Sequence, residues 1–422
     1  MEEKVYRVIE LFSGIGSQAE ALKNIDIDFE ILNTCEWNVH ALSAYNIIHN
    51  CQCCNTKYDY TDYTKKELVK ELLNLGISND GKVAMTEKSL NAYSFEALTK
   101  IHEAIITTKN LVDISKVKGT DLPGKIDIMT YSFPCQDLSN VGAFHGYNKG
   151  IDRDANNRSG LLWEVERILI ERKKEDYFMP KFLLMENVPA LNSQRHKKNF
   201  NEWKEQLETL GYYNKEYVLN AKDFGLPQNR ERLIMLSIHT YKDEDIKYEL
   251  DRYFEENNLE SAEYRKKLGI KEGELKQFLK TDYRKKLYKK EAIECQPNDT
   301  KSRKKIWDEN LQITNKNGKI IAKNVATLTT KQDRHPNSGN LWVDFDNGKG
   351  NFRYLTPREC FLLMGFSERE FDKILESNFE IKKNNKMFTR DNMIKMAGNS
   401  IAVKVLEAVF KQIIEIDKKI FI

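Results

Sequence analysis

The chain has 422 residues, of which 40% are hydrophobic and 31% are charged. This length and composition allow two or three domains and exclude collagen-like, low-complexity and wholly disordered chains. The 67 lysines and arginines nearly balance the 64 aspartates and glutamates, so any nucleic-acid-binding surface has to be local. No apolar run is long enough to span a bilayer, and the first residues lack the pattern of a signal peptide. With only seven cysteines, we expect a cytoplasmic protein.

Short apolar runs alternate with amphipathic segments over the first two thirds of the chain. The runs are rich in Val, Ile, Leu, Phe and Tyr and end in polar or turn residues, which is typical of buried strands. Such alternation predicts an α/β fold with a mostly parallel sheet covered by helices. The predicted strands are 5–12, 29–35, 126–131, 181–185, 213–219 and 233–238, and the predicted helices are 19–23, 39–48, 161–173 and 200–210.

Two segments interrupt this alternation. Residues 51–110 are charged and predicted to be helical, and the pattern is lost again beyond the sixth strand. Residues 281–305 there are rich in lysine and arginine, for which a solvated helix face is the simplest interpretation. We expect one domain over residues 1–240, which contains the first segment as an insertion and is completed by 390–422, and a smaller domain over residues 241–389.

The first predicted strand runs into a glycine turn over residues 13–19, Ser-Gly-Ile-Gly-Ser-Gln-Ala, which opens a helix. Gly14 and Gly16 allow a ligand to approach the backbone closely, and the helix N-terminus offers free N–H groups. Glu36, at the end of the next strand, is placed to accept hydrogen bonds from both hydroxyls of a ribose, with Trp37 beside it for an adenine face. The alternative is a turn with no ligand. The pattern indicates an adenosine-containing cofactor and does not choose between NAD and S-adenosylmethionine.

A cysteine follows the strand predicted over residues 126–131, in the sequence Ser-Phe-Pro-Cys-Gln. Open α/β sheets bind their ligands beyond the carboxyl ends of the strands. Cys135 is therefore a candidate nucleophile, and an ordinary buried thiol is the alternative. The polar, glycine-bearing stretch over residues 140–159 that comes next predicts a closing loop.

Polar groups also follow the strand predicted over residues 181–185. Glu186 leaves an apolar run and is a candidate proton donor, with a plain turn carboxylate as the alternative. Further along, Arg230 and Arg232 are spaced by two on an extended chain, so their side chains point to the same side. They either bind an anionic group or brace the site.

Cys51, Cys53 and Cys54, with His49, invite a zinc interpretation. The spacing lacks the separated pairs of a structural zinc site. We therefore expect free thiols and no metal.

Taken in chain order, these motifs resemble those of the DNA cytosine-5 methyltransferases of bacterial restriction–modification systems. Residues 112–114 resemble that family's aspartate motif at the adenine amino group, 353–359 the motif that organises the recognition domain, and 398–400 the closing cofactor-pocket motif. The collinear matches cover about residues 5–240 and 350–414. The resemblance implies a Rossmann-like S-adenosylmethionine-dependent methyltransferase sheet with a smaller C-terminal target-recognition domain.

The resemblance assigns site residues to three groups and implies no metal. The catalytic group is Cys135, Glu186, Arg230 and Arg232. The cofactor group, for S-adenosylmethionine and its product S-adenosylhomocysteine, is Phe12, Gly14, Gly16, Glu36, Trp37, Asp113, Pro134, Leu161, Asn399 and Ser400. The DNA-binding group is Gln136, Ser139, Arg158 and Thr327.

The implied reaction is methyl transfer to carbon 5 of a cytosine flipped out of a specific double-stranded DNA sequence. Cys135 would add to carbon 6, Glu186 would deliver a proton to ring nitrogen 3, Arg232 would hold the base and Arg230 would brace the loop. Gln136 would fill the space that the base leaves. The expected partners are double-stranded DNA and a cognate restriction endonuclease that acts separately, and we expect a monomer.

Three other functions stay open at this point: a tRNA cytosine-5 methyltransferase, a nicotinamide oxidoreductase, and a DNA-binding module with an inactive site. The long region before residue 350 favours DNA over tRNA, because sequence readout in a duplex needs added surface. The adenine contact is open between Asp113, Asp59 and Asp62, because residues 51–110 are longer than the family's usual connection. No motif predicts the recognised DNA sequence.

Overall fold

A computed structural model describes residues 4–50, 58–134, 138, 151–153 and 158–421. Six strands form the central sheet of this part of the chain, and their ends lie within two residues of the predicted ones. The strands are β1 Tyr6–Leu11, β2 Phe29–Cys35, β3 Ile128–Tyr131, β4 Phe182–Asn187, β5 Tyr212–Asn220 and β6 Glu231–His239. Their order across the sheet is β2-β1-β3-β4-β6-β5.

The sheet is mostly parallel, which confirms the predicted α/β class. β1 pairs in parallel with β2 and β3, and β3 pairs in parallel with β4. β6 is antiparallel to both of its neighbours, β4 and β5, so it is the reversed strand among these six. Only residues 221–230 connect β5 to β6, and a parallel crossover needs a longer connection.

The register aligns the carboxyl ends of four strands. Leu11 of β1 pairs with Cys35 on one side and with Tyr131 on the other, and Tyr131 pairs with Met185 of β4. The residues that follow these positions therefore emerge at one edge of the sheet. This alignment brings the glycine turn, Glu36, the Pro134 turn and Glu186 to the same place.

Helices cover both faces of the sheet. The patterns predicted over residues 19–23, 39–48, 161–173 and 200–210 correspond to the helices labelled α1, α2, α6 and α7 below. Among the described helices, none has both the length and the apolar character that crossing a bilayer requires. The described helices are α1 Ser17–Asn24, α2 Val39–His49, α3 Lys65–Leu75, α4 Glu87–Asn91, α5 Phe95–Thr107, α6 Leu162–Lys174, α7 Lys197–Thr209, α8 Glu244–Glu256, α9 Ala262–Lys267, α10 Leu275–Phe278, α11 Lys286–Glu294, α12 Lys301–Glu309, α13 Pro357–Met364, α14 Glu368–Glu376, α15 Arg390–Asn399 and α16 Val403–Ile420.

Alternation along the strands divides the core between the two faces. Val8 and Ile128 join a hydrophobic cluster with α1, α2 and α16. Their neighbours Ile9 and Met129 join a second cluster with α6 and α7. Successive side chains of a strand point to opposite faces, and both faces are covered here. This explains why the central strands β3 and β4 are buried along their whole length and are mostly apolar.

The charged segment after β2 contains the three helices α3, α4 and α5, as its predicted helical character suggests. α3 begins at a capping box in which Thr64 and Glu67 bond each other's backbone N–H groups. Leu72 of α3 and Ile101 of α5 are buried in the same cluster as Leu42 of α2. The chain then returns to the sheet edge, where residue 110 forms a parallel bridge with residue 34 of β2.

The region beyond β6 shares the hydrophobic cluster of the sheet. Leu250 of α8, Phe361 of α13 and Phe371 of α14 all belong to the cluster that contains Val8. A small separate cluster includes Trp307, Trp342, Phe352 and Tyr354. The predicted domain limits at residues 240 and 390 fall within the shared cluster, and the division stays a prediction. The short strands here are β7 Asn340–Trp342, β8 Phe352–Tyr354, β9 Glu380–Lys382 and β10 Asn385–Lys386.

Candidate active site

The glycine turn after β1 packs tightly on one side and is open on the other. Gly16 has a φ of +81°, and a Cβ there would lie 2.3 Å from Nε2 of His49 and 2.8 Å from Cε2 of Tyr45. The same Nε2 donates a hydrogen bond of 3.0 Å to the carbonyl of Ile15. Gly14 also has a positive φ, but a Cβ there would meet nothing within 4 Å. Gly16 is therefore needed for packing against α2, whereas Gly14 leaves free space for a ligand.

Glu36 joins the end of β2 to this turn. Its Oε2 accepts the N–H of Gly14 at 3.1 Å, and its Oε1 accepts the N–H of Asn38 at 2.8 Å. Burial raises the pKa of the Glu36 carboxyl, because the charged form loses hydration there. The side chain of Asn110 fixes the backbone of Glu36 by accepting its N–H and donating to its carbonyl, both at 3.0 Å. Asn110 was not predicted as a site residue, although it lies only two residues before the aspartate motif.

Of the three candidate aspartates, Asp113 is the one that lines the same cavity as Trp37. Its Oδ1 accepts a hydrogen bond of 2.7 Å from Oγ of Ser115. Asp59 instead accepts hydrogen bonds from Thr61, and neither Asp59 nor Asp62 lines the cavity.

Glu186 is held from two sides at the end of β4. Nε of Arg232 lies 3.0 Å from its Oε1, and Oγ of Ser132 donates to its Oε2 at 2.5 Å. Glu186 is 6% exposed, so these two partners supply most of what water would otherwise supply. Ser132 is a second residue that the sequence analysis did not assign, although it directly follows β3.

Hydrogen bonds also fix the backbone that leads to Cys135. Nδ2 of Asn187 donates to the carbonyl of Phe133 at 3.1 Å, and Oγ of Ser159 donates to the carbonyl of Pro134 at 2.7 Å. The turn after β3 is thus tied both to the turn after β4 and to the start of the next helical segment. Cys135 itself lies outside the described residues, as do Gln136 and Ser139.

Arg230 is buried and braces three carbonyl groups, as the sequence analysis predicts for one of the two arginines. Its guanidinium donates to the carbonyls of Leu328, Gly398 and Ser400 at 3.1, 3.1 and 2.7 Å. It therefore links the loop before β6 to the residues that close the cavity on the far side. Arg232 has the different role of pairing with Glu186.

Gln228, which was not predicted as a site residue, connects the same loop before β6 to two further parts of the chain. Its Nε2 donates to the carbonyl of Leu363 at 2.9 Å, and its Oε1 accepts the N–H of Leu328 at 2.9 Å. Thr327 donates through Oγ1 to the carbonyl of Asn229 at 2.6 Å. Thr327 is thus anchored beside Arg230, and it does not line the cavity.

One cavity of about 420 Å³ collects most of the predicted site residues. Gly16 and Thr327 are the two described site residues that do not line it. Cys51, Cys53 and Cys54 lie outside the described residues. The predicted residues that line the cavity are Phe12, Gly14, Glu36, Trp37, Asp113, Pro134, Arg158, Leu161, Glu186, Arg230, Arg232, Asn399 and Ser400.

Solved structures with this fold support the architecture. The S. pombe Dnmt2 methyltransferase aligns with a TM-score of 0.56 at 19% identity and covers 97% of this chain and 98% of its own. The Entamoeba histolytica methyltransferase EhMeth aligns with a TM-score of 0.54 at 15% identity and covers 98% of this chain and 99% of its own. At these identities the comparison shows the fold alone, which this chain shares with both of those methyltransferases.

Sequence relatives show the family of the chain as well as its fold. The orphan methyltransferase M.SssI of Spiroplasma monobiae is 32% identical over 423 residues, which cover 97% of this chain and 97% of that protein. The type II methyltransferase M2.ScrFI of Lactococcus lactis subsp. cremoris is 33% identical over 413 residues, which cover 96% and 98%. The family model of the C-5 cytosine-specific DNA methylases matches residues 71–415. The chain therefore belongs to this family of DNA-methylating enzymes.

Proposed function

We propose that this enzyme transfers a methyl group from S-adenosylmethionine to carbon 5 of a cytosine flipped out of a specific double-stranded DNA sequence, through a covalent adduct of Cys135 at carbon 6. The observation that carries the proposal is the placement of Glu186. Its carboxyl, held by Arg232 and Ser132, lines the same cavity as the glycine turn and Pro134.

The residues of the cavity fit the cofactor. The open space beside Gly14 would admit the cofactor next to the turn. Glu36 would accept hydrogen bonds from the ribose hydroxyls of the cofactor, and Trp37 would lie against its adenine. Asp113 would accept a hydrogen bond from the adenine amino group. Phe12, Pro134, Leu161, Asn399 and Ser400 would line the remainder. S-adenosylmethionine supplies an electrophilic methyl group when it is bound, and S-adenosylhomocysteine is released.

Cytosine carbon 5 is a weak nucleophile, so the protein has to activate the ring. The thiolate of Cys135 adds to carbon 6 while Glu186 delivers a proton to ring nitrogen 3, which makes carbon 5 nucleophilic. After methyl transfer, solvent water takes the proton from carbon 5, which restores the double bond and expels the Cys135 thiolate, and ring nitrogen 3 returns its proton to Glu186. Arg232 orients Glu186 and faces the base, and Arg230 braces the loop.

The base must leave the duplex to reach this cavity. Arg158 lines the cavity and is assigned to DNA, together with Gln136, Ser139 and Thr327. Sequence readout is assigned to residues 241–389, with lysines and arginines on phosphates and polar groups on base edges. The enzyme would act as a cytoplasmic monomer, beside a separately acting restriction endonuclease where a cognate one exists.

Methylation of random-sequence duplex DNA, followed by base-resolution mapping of 5-methylcytosine, tests the reaction. We expect modification within one short sequence and none in tRNA offered as a competing acceptor; transfer to tRNA alone would favour the tRNA alternative. A duplex carrying 5-fluorocytosine tests the covalent step, because the fluorine cannot leave as the proton does. The wild type should form a denaturation-resistant adduct, and Cys135→Ser should form none while still binding S-adenosylmethionine. An adduct with Cys135→Ser would refute the role of this cysteine.

A further inference from the structure

A loop outside all the site motifs forms part of the cavity wall. Asp80 and Gly81 line the cavity, and they lie between α3 and α4, in the charged segment that follows β2. We propose that the loop of residues 77–83 covers the adenosine half of S-adenosylmethionine and that Lys395 holds it in place. This inference rests on the proposed function, since it assumes that this cofactor occupies the cavity.

The loop is attached to the backbone at Trp37, the proposed adenine contact, and two residues after it. The N–H of Ser78 donates to the carbonyl of Trp37 at 2.7 Å, and the N–H of Val39 donates to the carbonyl of Ser78 at 2.9 Å. A Cβ added at Gly81 would lie 3.6 Å from Nδ2 of Asn38 and 4.0 Å from the indole nitrogen of Trp37. The loop therefore passes close to the indole ring of the residue assigned to the adenine.

Internal hydrogen bonds fix the shape of the loop. Ser78 is fully buried, and its Oγ donates to the carbonyl of Val83 at 2.6 Å and accepts the N–H of Gly81 at 3.0 Å. Oδ1 of Asp80 accepts the N–H groups of Lys82 and Val83 at 2.7 and 3.2 Å. A loop with this many internal bonds is a preformed surface, so little ordering entropy opposes ligand binding to it.

Lys395 connects the loop to the opposite side of the cavity. It belongs to α15, the helix that ends at Asn399, and its Nζ donates to the carbonyl of Asp80 at 2.5 Å. Lys395 also lines the cavity. The loop is thus held between the Trp37 backbone on one side and the helix that carries a proposed cofactor residue on the other. Removing the ammonium group would release the second attachment and leave the first.

Ligand titration tests the proposal without turnover. S-adenosylmethionine, S-adenosylhomocysteine and 5′-methylthioadenosine, which lacks the amino acid part, are titrated into the wild type, Lys395→Met and Ser78→Ala. In both variants we expect the dissociation constants of all three ligands to rise by a similar factor of about ten, because each variant loses hydrogen bonds that hold the loop. Lys395→Arg should restore most of the binding. Lys404→Met removes an exposed lysine that bonds only Glu407 and should bind as the wild type does.

Three results would overturn the proposal. Unchanged dissociation constants in Lys395→Met would show that the attachment is irrelevant to binding. Weaker S-adenosylmethionine binding with unchanged 5′-methylthioadenosine binding would place Lys395 at the amino acid end. An equal loss of cofactor-free DNA affinity would assign it to phosphates. A wild type that binds no S-adenosylmethionine would instead refute the proposed function.

Hydrogen exchange on the wild type keeps the proposal testable if a variant does not fold. The amides of Gly81, Lys82 and Val83 should exchange more slowly when 5′-methylthioadenosine is bound, because the ligand restrains the loop from opening. Unchanged exchange at saturating ligand would contradict the proposal. The amides of Lys316 and Lys319, in a turn that does not line the cavity, serve as the internal control.

Discussion

Arg232 and Glu186 form an ion pair of 3.0 Å across the antiparallel strands β6 and β4. The pair stands at one of the two borders of the reversed strand β6, the one that it shares with β4. Because β6 runs opposite to β4, its first residues lie beside the last residues of β4, and the arginine reaches the carboxyl directly. The reversed direction of β6 thus places Arg232 beside Glu186, whereas a parallel strand would begin at the other end of the sheet.

Glu186→Gln tests the proton transfer. The amide keeps the shape and the hydrogen-bonding reach of the carboxyl but cannot deliver a proton, so kcat should fall by at least about a hundredfold. The dissociation constant of S-adenosylmethionine should stay unchanged, since the proposed cofactor contacts are other residues of the cavity. Single-turnover methylation and cofactor titration measure the two quantities. Glu216→Gln, far from the cavity and paired with Lys204, is the control, and wild-type turnover in Glu186→Gln would remove its catalytic role.

Glu36→Gln and Glu36→Ala test the ribose contact. Loss of the carboxylate should weaken S-adenosylmethionine binding by about tenfold or more, because hydrogen bonds to a charged group are the stronger ones. The effect should appear in the dissociation constant with little change in the rate of the bound enzyme. An unchanged dissociation constant in both variants would end the assignment. Titration with a reduced nicotinamide dinucleotide should show no binding to the wild type.

Much of this site follows from the sequence for a physical reason. The glycine turn, Glu36, Pro134 and Glu186 each follow a predicted strand, and parallel strands have carboxyl ends that meet at one edge of the sheet. The order of Gly14, Glu36, Pro134 and Glu186 along the chain therefore predicts their proximity. In the structure, Leu11 pairs with Tyr131 and Tyr131 pairs with Met185, so the ends of these strands lie side by side as predicted.

Other contacts depend on packing that local patterns do not encode. Strand direction is one case: the periodicity of residues 233–238 is the same for either orientation, although the short connection from β5 could have indicated the reversal. Asn110, Gln228 and Lys395 are further cases, since each acts through hydrogen bonds to backbone groups far away in the chain. A polar side chain of this type looks like any surface residue until its partner is known.

The two glycines of the turn should respond differently to alanine. Gly16→Ala places its Cβ 2.3 Å from the His49 ring, so overpacking and the positive φ together should lower the free energy of unfolding by about 3 kcal/mol. Gly14→Ala meets open space and should cost only about 1 kcal/mol, while weakening cofactor binding. Urea unfolding and cofactor titration measure both effects. Equal stability losses in the two variants would contradict the packing role of Gly16.

The buried ion pair of Arg353 and Glu359 should be important for stability. Both side chains are 0% exposed, and the guanidinium donates to both carboxylate oxygens at 2.8 Å. Glu359→Gln leaves a buried guanidinium without its counter-charge, so the free energy of unfolding should fall by about 3–5 kcal/mol. Glu272→Gln breaks the exposed pair with Lys323, and it should leave the free energy of unfolding unchanged within the error of the measurement. A small loss for Glu359→Gln would show that the pair is replaceable.

Glu10 should make the protein less stable as the pH rises. Its side chain is fully buried on β1, and burial raises the pKa of the carboxyl from 4.5 to about 8, because the charged form loses hydration there. Between these two values the unfolded chain releases the proton and the folded chain keeps it. The stabilising contribution is thus complete below pH 4.5 and is lost as the pH rises through about 8.

Glu10→Gln isolates this effect, since the amide has nearly the same shape and cannot ionise. Its free energy of unfolding, measured with urea at a series of pH values, should fall less than that of the wild type between about pH 5 and about pH 8. The decrease in the free energy of unfolding at acidic pH should be the same in Glu10→Gln and the wild type, because it depends on other groups. One of them is His49: burial lowers the pKa of its ring from 6.5 to about 4, so the stability that the neutral ring contributes is lost as the pH falls. Glu96→Gln, on an exposed carboxyl paired with Lys100, is the control. Parallel pH profiles of Glu10→Gln and the wild type would show that Glu10 does not titrate in this range.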